Sequence, residues 1–233
     1  MFRLCVVLLC IFSQQCIGEN SSKNVSDTRT AKIGKGVEVK AYVVYDTEEY
    51  GKKYQSQEPR KKGAMWYFLD LFDEVERYFH SRNVMVNFSV IAVEQEKNIW
   101  VRTNDTLDTN ATLEKLQKMH SSNYSRPNET IVYLFTNKTL PVPGQTETAT
   151  FATFCTPNVS AAIVVQPPGN MSYTSTVEAT SVVFGASGSA NFTKEDVEKM
   201  NETFSHCHIK RRYKTTKTTT TTSTTVVMNA SVN

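Results

Sequence analysis

Metal and nucleophile chemistry needs particular side chains at particular spacings, and this chain is sparing with them. It has four histidines, His80, His120, His206 and His208. A zinc site on a helix takes two histidines at i and i+4, so that both imidazoles leave one face. No two of the four stand at that spacing. His206 and His208 flank Cys207, which reads as two exposed histidines beside a disulfide rather than as a metal site. The segment GASG at 185–188 lacks the Gly-Lys-Ser/Thr ending of a phosphate loop and follows a helix candidate, not a strand. Glu38, Asp46, Glu48 and Glu49 read as a solvated strand edge and loop rather than as paired catalytic carboxylates. No Ser or Cys sits with a His/Asp pair in a recognisable motif.

The segments that would position such groups are bounded by the chain's ends. MFRLCVVLLCIFSQQCIGEN sets Arg3 before an apolar run over 4–12, with Cys16 and Gly18 as small residues ahead of Glu19; this predicts a secretory signal peptide over 1–18. No stretch approaches the ~20 apolar residues of a membrane span, so no membrane anchor is expected. Cys5, Cys10 and Cys16 leave with that peptide. Cys155 and Cys207 remain, and in an oxidising compartment they predict one disulfide. Asn20, Asn24, Asn87, Asn104, Asn110, Asn123, Asn128, Asn137, Asn158, Asn170, Asn191, Asn201 and Asn229 each begin Asn-x-Ser/Thr, thirteen of the sixteen asparagines. Chance would place roughly three there, so most are expected to be glycan acceptors and hence surface positions.

A net charge of +3 is mild and gives no reason to expect nucleic acid as a partner. Lys210, Arg211, Arg212 and Lys214 form a denser basic segment, read as a solvated lead into the tail. Residues 19–35 are expected to be a flexible leader. Residues 214–233, with KTTKTTTTTSTT, form a Thr-rich low-complexity tail suited to O-glycosylation. One domain is expected over 36–213.

Inside that domain two periodicities alternate. Val37, Val39, Ala41 and Val43 predict a strand with one apolar face. Met65, Phe68, Leu69, Phe72, Val75 and Phe79 predict a helix from Gly63 to Ser81. NVMVNFSVIAV returns to period two, with Val84, Val86, Phe88 and Val90 on one face and Asn87 on the other. A short strand is expected at Ile99–Val101, a helix over Thr112–Met119, and strands at Ile131–Phe135 and Ala161–Val165. A helix follows within Ser175–Gly188, then another over Lys194–Phe204 capped by Thr193. Strands alternating with helices predict an α/β sandwich with a mostly parallel sheet.

Three segments carry a family resemblance. FATFCTPNVSAAIVVQ (151–166) resembles the strand that precedes the catalytic helix of reprolysin or adamalysin-type metalloproteases, which are metzincins. FSHC (204–207) is similar to the Phe-Ser-x-Cys that supplies the partner half-cystine there, and VEVKAYVVYD (37–46) is similar to the family's opening strand. The resemblance implies a three-layer metzincin-like sandwich over about 37–213, with zinc as the family's metal. Its zinc motif, H-E-x-x-H-x-x-G-x-x-H, uses three histidine ligands, a glutamate base and a turning glycine.

Set on Gly185 as that glycine, the motif falls on STVEATSVVFGASG (175–188). Glu178 and Val182 then occupy the first two histidine positions, Ala179 the base and Gly188 the third histidine. Only the glycine matches, so neither zinc nor another cofactor is expected, and these five positions are vestigial. Gly188 and Cys207 are also close in sequence, which implies a shortened C-terminal subdomain; Met200 there reads as helix packing. The expectation is a secreted, heavily N-glycosylated pseudoenzyme that binds an extracellular protein or glycan. Its glycosylated, Thr-tailed character is similar to reprolysin-related salivary proteins of metastriate ticks, which implies a host-modulating role. The competing expectations are a zinc metalloendopeptidase with unusual ligands and a mucin-like structural glycoprotein.

Overall fold

The computed structural model describes residues 31–53, 63–103, 106–120 and 127–209. The signal peptide, most of the leader, the basic segment, the Thr-rich tail and Asn20, Asn24, Asn104, Asn123 and Asn229 lie outside the described residues.

Five strands form one sheet in the order β2-β1-β5-β7-β6, where β1 is Glu38–Tyr45, β2 Asn87–Gln95, β5 Thr130–Thr136, β6 Glu147–Ala149 and β7 Ser160–Val165. All neighbours are parallel except β6, which runs antiparallel to β7 at the edge. A separate two-strand ribbon pairs β3 (Arg102–Thr103) with β4 (Thr106–Leu107). The helices are α1 (Glu49–Lys53), α2 (Ala64–Ser81), α3 (Thr109–His120), α4 (Thr174–Val183) and α5 (Lys194–Ser205).

The layering follows from period-two strands whose two faces are both apolar. Val39, Ala41 and Val43 of β1, Ile131, Tyr133 and Phe135 of β5, and Ala162 and Val164 of β7 enter one core with α2, α4 and α5. Their alternates, Tyr42, Val44, Val132, Leu134, Ala161 and Ile163, enter a second core with Leu113 and Leu116 of α3. A central strand buried on both faces belongs to a sheet covered on both sides, and the result is a three-layer α/β sandwich with a mostly parallel sheet.

Several local expectations are corrected. Residues 99–101 are not a strand: Ile99 is buried in the second core, and the pairing residues come just after, in β3. The buried stripe of α2 is Ala64, Tyr67, Phe68, Leu71, Phe72, Val75 and Phe79. Met65 is 43% exposed and Leu69 only half-buried, because Tyr67 and Leu71 turn the apolar face by part of a helical turn. The leader ends earlier than 35, since Ile33 is buried and bridges to Val84 in parallel. Asp46 is not solvated: its side chain is 1% exposed. Its Oδ2 accepts from the Trp100 indole N–H (2.8 Å) and the Thr136 hydroxyl (2.8 Å) and pairs with Lys138 (2.9 Å), tying three segments at the carboxyl ends of β1 and β5. Glu48, by contrast, is exposed between Lys52 and Lys97.

Candidate functional site

The segment with zinc-helix spacing forms α4 and the turn after it, immediately downstream of β7. Its sequence is rich in Ser and Thr, which are poor helix formers because their hydroxyls compete for the backbone. Three of those residues, Thr176, Thr180 and Ser181, are buried here. Thr180 donates to Thr176 C=O (2.6 Å) and meets the Tyr133 hydroxyl of β5 (2.8 Å), while Ser181 donates to Glu178 C=O (2.7 Å). Val177, Ala179 and Val183 are buried in the core. The helix is therefore held by packing on the sheet more than by intrinsic propensity.

Its end is a Schellman motif. Gly185 has φ +92°, its N–H reaches Val182 C=O (2.9 Å), and Ala186 N–H reaches Ser181 C=O (2.9 Å). That is the ordinary work of a left-handed glycine at a helix end. Thr203 of α5 donates to Phe184 C=O (2.8 Å), and Ser187 N–H donates to Asp196 Oδ1 (2.8 Å). The turn 184–188 is thus fastened to α5 from both sides.

The five motif positions take the following places. Val182 and Gly188 are brought together: a Cβ on Gly188, whose φ is +86°, would lie 2.9 Å from Val182 Cγ2. Glu178 is half-buried one helical turn before Val182. The three ligand positions of the register therefore converge on one spot. Ala179 lies fully buried in the core. Desolvation raises the Glu178 carboxyl above the ordinary carboxylate range, Glu147 of β6 raises it further, and the backbone N–H of Ala190 opposes both. Glu147 accepts from the Thr146 hydroxyl (2.6 Å), which also accepts from Ser175 Oγ (3.0 Å), so the first turn of α4 is joined to the residue that precedes β6.

A catalytic zinc needs three protein donors around an open position. This spot offers one carboxylate, a valine methyl and a glycine, which do not fit the metal. Among the described residues, no group of three or more His, Cys, Asp or Glu could hold a metal ion. His80 lies at the end of α2 with its Nε2 2.8 Å from Val86 C=O, and His206 and His208 are exposed. Met200 is fully buried in the main core, as packing requires.

Cys155 and Cys207 are bonded, with Cα atoms 5.0 Å apart. The bridge joins the C-terminal end of α5 to the 151–156 loop, whose Ala152 and Phe154 N–H groups cap Val182 (3.0 Å) and Val183 (3.3 Å). Ala152 and Cys155 adopt φ +52° and +58°, unusual for residues with a Cβ. Beside this loop a cavity of about 350 Å³ lies between Phe151, Phe154, Gly185, Lys199 and His206. A second, of about 520 Å³, lies between α2 and the connection from β7 to α4. Neither cavity, nor the Asp196 tether, nor the place of Glu147 was legible in the sequence. Only the spacing of Thr193 and Asp196 carried a signal, as a capping-box variant.

No protein-family model matches the sequence, and no curated protein matches it. Among solved structures, the chain is similar to one described as a chaperone–substrate complex (12% identity, TM-score 0.45, covering 67% of this chain and 25% of that one). It is similar to metalloproteinase-II from Bacteroides fragilis (10% identity, TM-score 0.45, 73% of this chain and 54% of that one). It is also similar to archaemetzincin from Methanopyrus kandleri (14% identity, TM-score 0.41, 73% of this chain and 97% of that one). The chain thus spans a quarter of the first and about half of the second. Similarity this distant transfers no residue role and no activity.

Proposed function

We propose that this chain is a secreted, N-glycosylated relative of reprolysin-type metzincins that has lost its zinc site and works by binding an extracellular protein or glycan. One observation carries the reading: the second and third ligand positions, 182 and 188, are packed against each other yet hold a methyl group and a hydrogen. The helix and glycine turn persist through Schellman bonding and core packing, which need no metal.

Glycosylation is supported by placement. Of the sequon asparagines among the described residues, Asn87, Asn110, Asn137, Asn158, Asn170, Asn191 and Asn201 are exposed, and Asn128 is half-buried. No described helix is long and apolar enough to cross a membrane. By its many sequons and Thr-rich tail the chain resembles tick salivary proteins, and a host-modulating role is the corresponding reading.

The test is affinity capture of plasma and tissue proteins on the purified glycoprotein, before and after enzymatic trimming of its N-glycans. Binding retained by the trimmed domain supports the proposal. Binding lost entirely on trimming would favour a mucin-like glycoprotein whose sugars do the work, and chelator-sensitive cleavage of captured protein would favour a working protease.

A further inference from the structure

We propose that the larger cavity is the seat of the chain's own sugar, the first residues of an N-glycan on Asn170; this rests on the reading of the chain as a secreted glycoprotein. The cavity has about 520 Å³, within the range of small-molecule sites. One wall is a stripe of α2, Asp70, Asp73, Glu74 and Arg77, spaced so that all four share a face. The other is Met171 and Tyr173, whose ring is set against Tyr78 at 5.7 Å between centroids.

Within this wall Arg77 pairs with Glu74 (2.7 Å) and donates to Asp73 C=O (3.3 Å), and toward the cavity carboxylates only accept hydrogen bonds while a guanidinium only donates. A ligand that answers both, and also lays an apolar face on Tyr173 and Met171, has many hydroxyls around a C–H-faced ring. A pyranose has that chemistry, whereas a simple cation answers only the carboxylates of the α2 wall and a simple anion only its guanidinium, and neither has a face for Tyr173 and Met171.

The attachment point is next in the chain to a lining residue. Asn170 is exposed and immediately precedes Met171, so their Cα atoms are about 3.8 Å apart. Its backbone is pinned: its C=O accepts from the Tyr67 hydroxyl (2.6 Å) and from Gln166 Nε2 (2.6 Å). Its Oδ1 accepts from Ser172 N–H (2.9 Å), which leaves the amide nitrogen, the atom that carries sugar, outside that bond. Asn87 and Asn137 are exposed as well, but neither they nor their chain neighbours line a cavity described here, and they serve as controls.

The experiment uses full-length protein secreted with high-mannose glycans. The folded glycoprotein is treated with endoglycosidase H over time, and release is followed site by site by glycopeptide mass spectrometry. Release at Asn170 is expected to be about tenfold slower than at Asn87 and Asn137, the factor that a seated-state preference of about 1.4 kcal/mol supplies. The difference should vanish on denaturation. Asp73→Asn, at an exposed position of α2, and Tyr173→Ala should each bring Asn170 to the control rate, with thermal midpoints confirming that the variants are folded; if Tyr173→Ala fails to fold, Asp73→Asn decides alone. Equal release at all three sites in the folded wild type, or protection that neither folded variant lifts, overturns the proposal. An unmodified Asn170 with Asn87 and Asn137 occupied also overturns it while leaving the glycoprotein reading intact. Absence of sugar at every site brings down that reading itself.

Discussion

Asp196 offers a quantitative test of how the turn after α4 is held. The residue is 3% exposed. It accepts from Thr193 N–H (2.9 Å), the Thr193 hydroxyl (2.8 Å) and Ser187 N–H (2.8 Å). Desolvation raises its pKa, but the donations from Thr193 and Ser187 outweigh it and hold the carboxyl at about 2, against an ordinary 3.8. At 1.36 kcal/mol per pH unit this difference stabilises the fold by about 2 kcal/mol. Because the folded value is the depressed one, that stability is fully present above pH ~4 and is lost as pH falls through about 2. Asp196→Asn keeps the shape but turns an N–H₂ toward donors, so it should cost about 2 kcal/mol at pH 7, or roughly 4–8 °C of Tm in a domain of this size. Urea denaturation of both proteins at pH 7 and pH 2 reads the result, with the two stabilities converging at the lower pH. A gap of the same size at both values, or none at pH 7, would refute the reasoning.

Three further outcomes follow from the same contacts. Gly188→Ala combines a φ of +86° with a 2.9 Å clash on Val182 Cγ2 and should cost about 1–3 kcal/mol; adding Val182→Ala should recover the steric part, and a double-mutant cycle measures the coupling. Thr203→Val leaves Phe184 C=O without its donor in a buried place and should cost about 1–3 kcal/mol, whereas Asn201→Gln removes the same sequon and should change stability by under about 0.5 kcal/mol. Replacing Cys155 and Cys207 by Ala together opens a 52-residue separation and should lower unfolding free energy by about 4 kcal/mol in the chain-entropy model, seen as an earlier denaturation midpoint.

The elements with a long, consistent period were legible in the sequence, and those formed by tertiary context were not. The helix over 64–81 was evident from its repeated aromatics, but its rotation was not, because Tyr67 carries a hydroxyl and still packs inward with that group on Asn170 C=O. β6 has three residues, Glu-Thr-Ala, with no apolar alternation; it is a strand because β7 offers it an edge. Asp46 reads as a polar loop residue until Trp100, Thr136 and Lys138 are brought to it from elsewhere in the chain. At the candidate site, the sequence pointed to the helix and the glycine turn, while the register of the five motif positions rests on the family resemblance. What spacing could not supply was contact: that Val182 and Gly188 touch, that Asp196 holds Ser187, and that Glu147 faces Glu178. The sequons carried a further ambiguity, since Thr112, Thr130, Ser160, Thr193 and Thr203 are the hydroxyl residues of sequons and several also serve the fold: Thr193 caps α5, Thr203 holds the turn, and Thr112 binds Val101 N–H (3.1 Å).

The central claim is that a metalloprotease-like scaffold persists here without its metal chemistry. It is tested most directly by measuring zinc per chain in the purified glycoprotein after dialysis against zinc-containing buffer, with hydrolysis of a protein substrate followed in the same sample with and without chelator. No stoichiometric zinc and no chelator-sensitive cleavage are expected. One zinc per chain, lost together with proteolysis on chelation and restored together on adding zinc back, would contradict it.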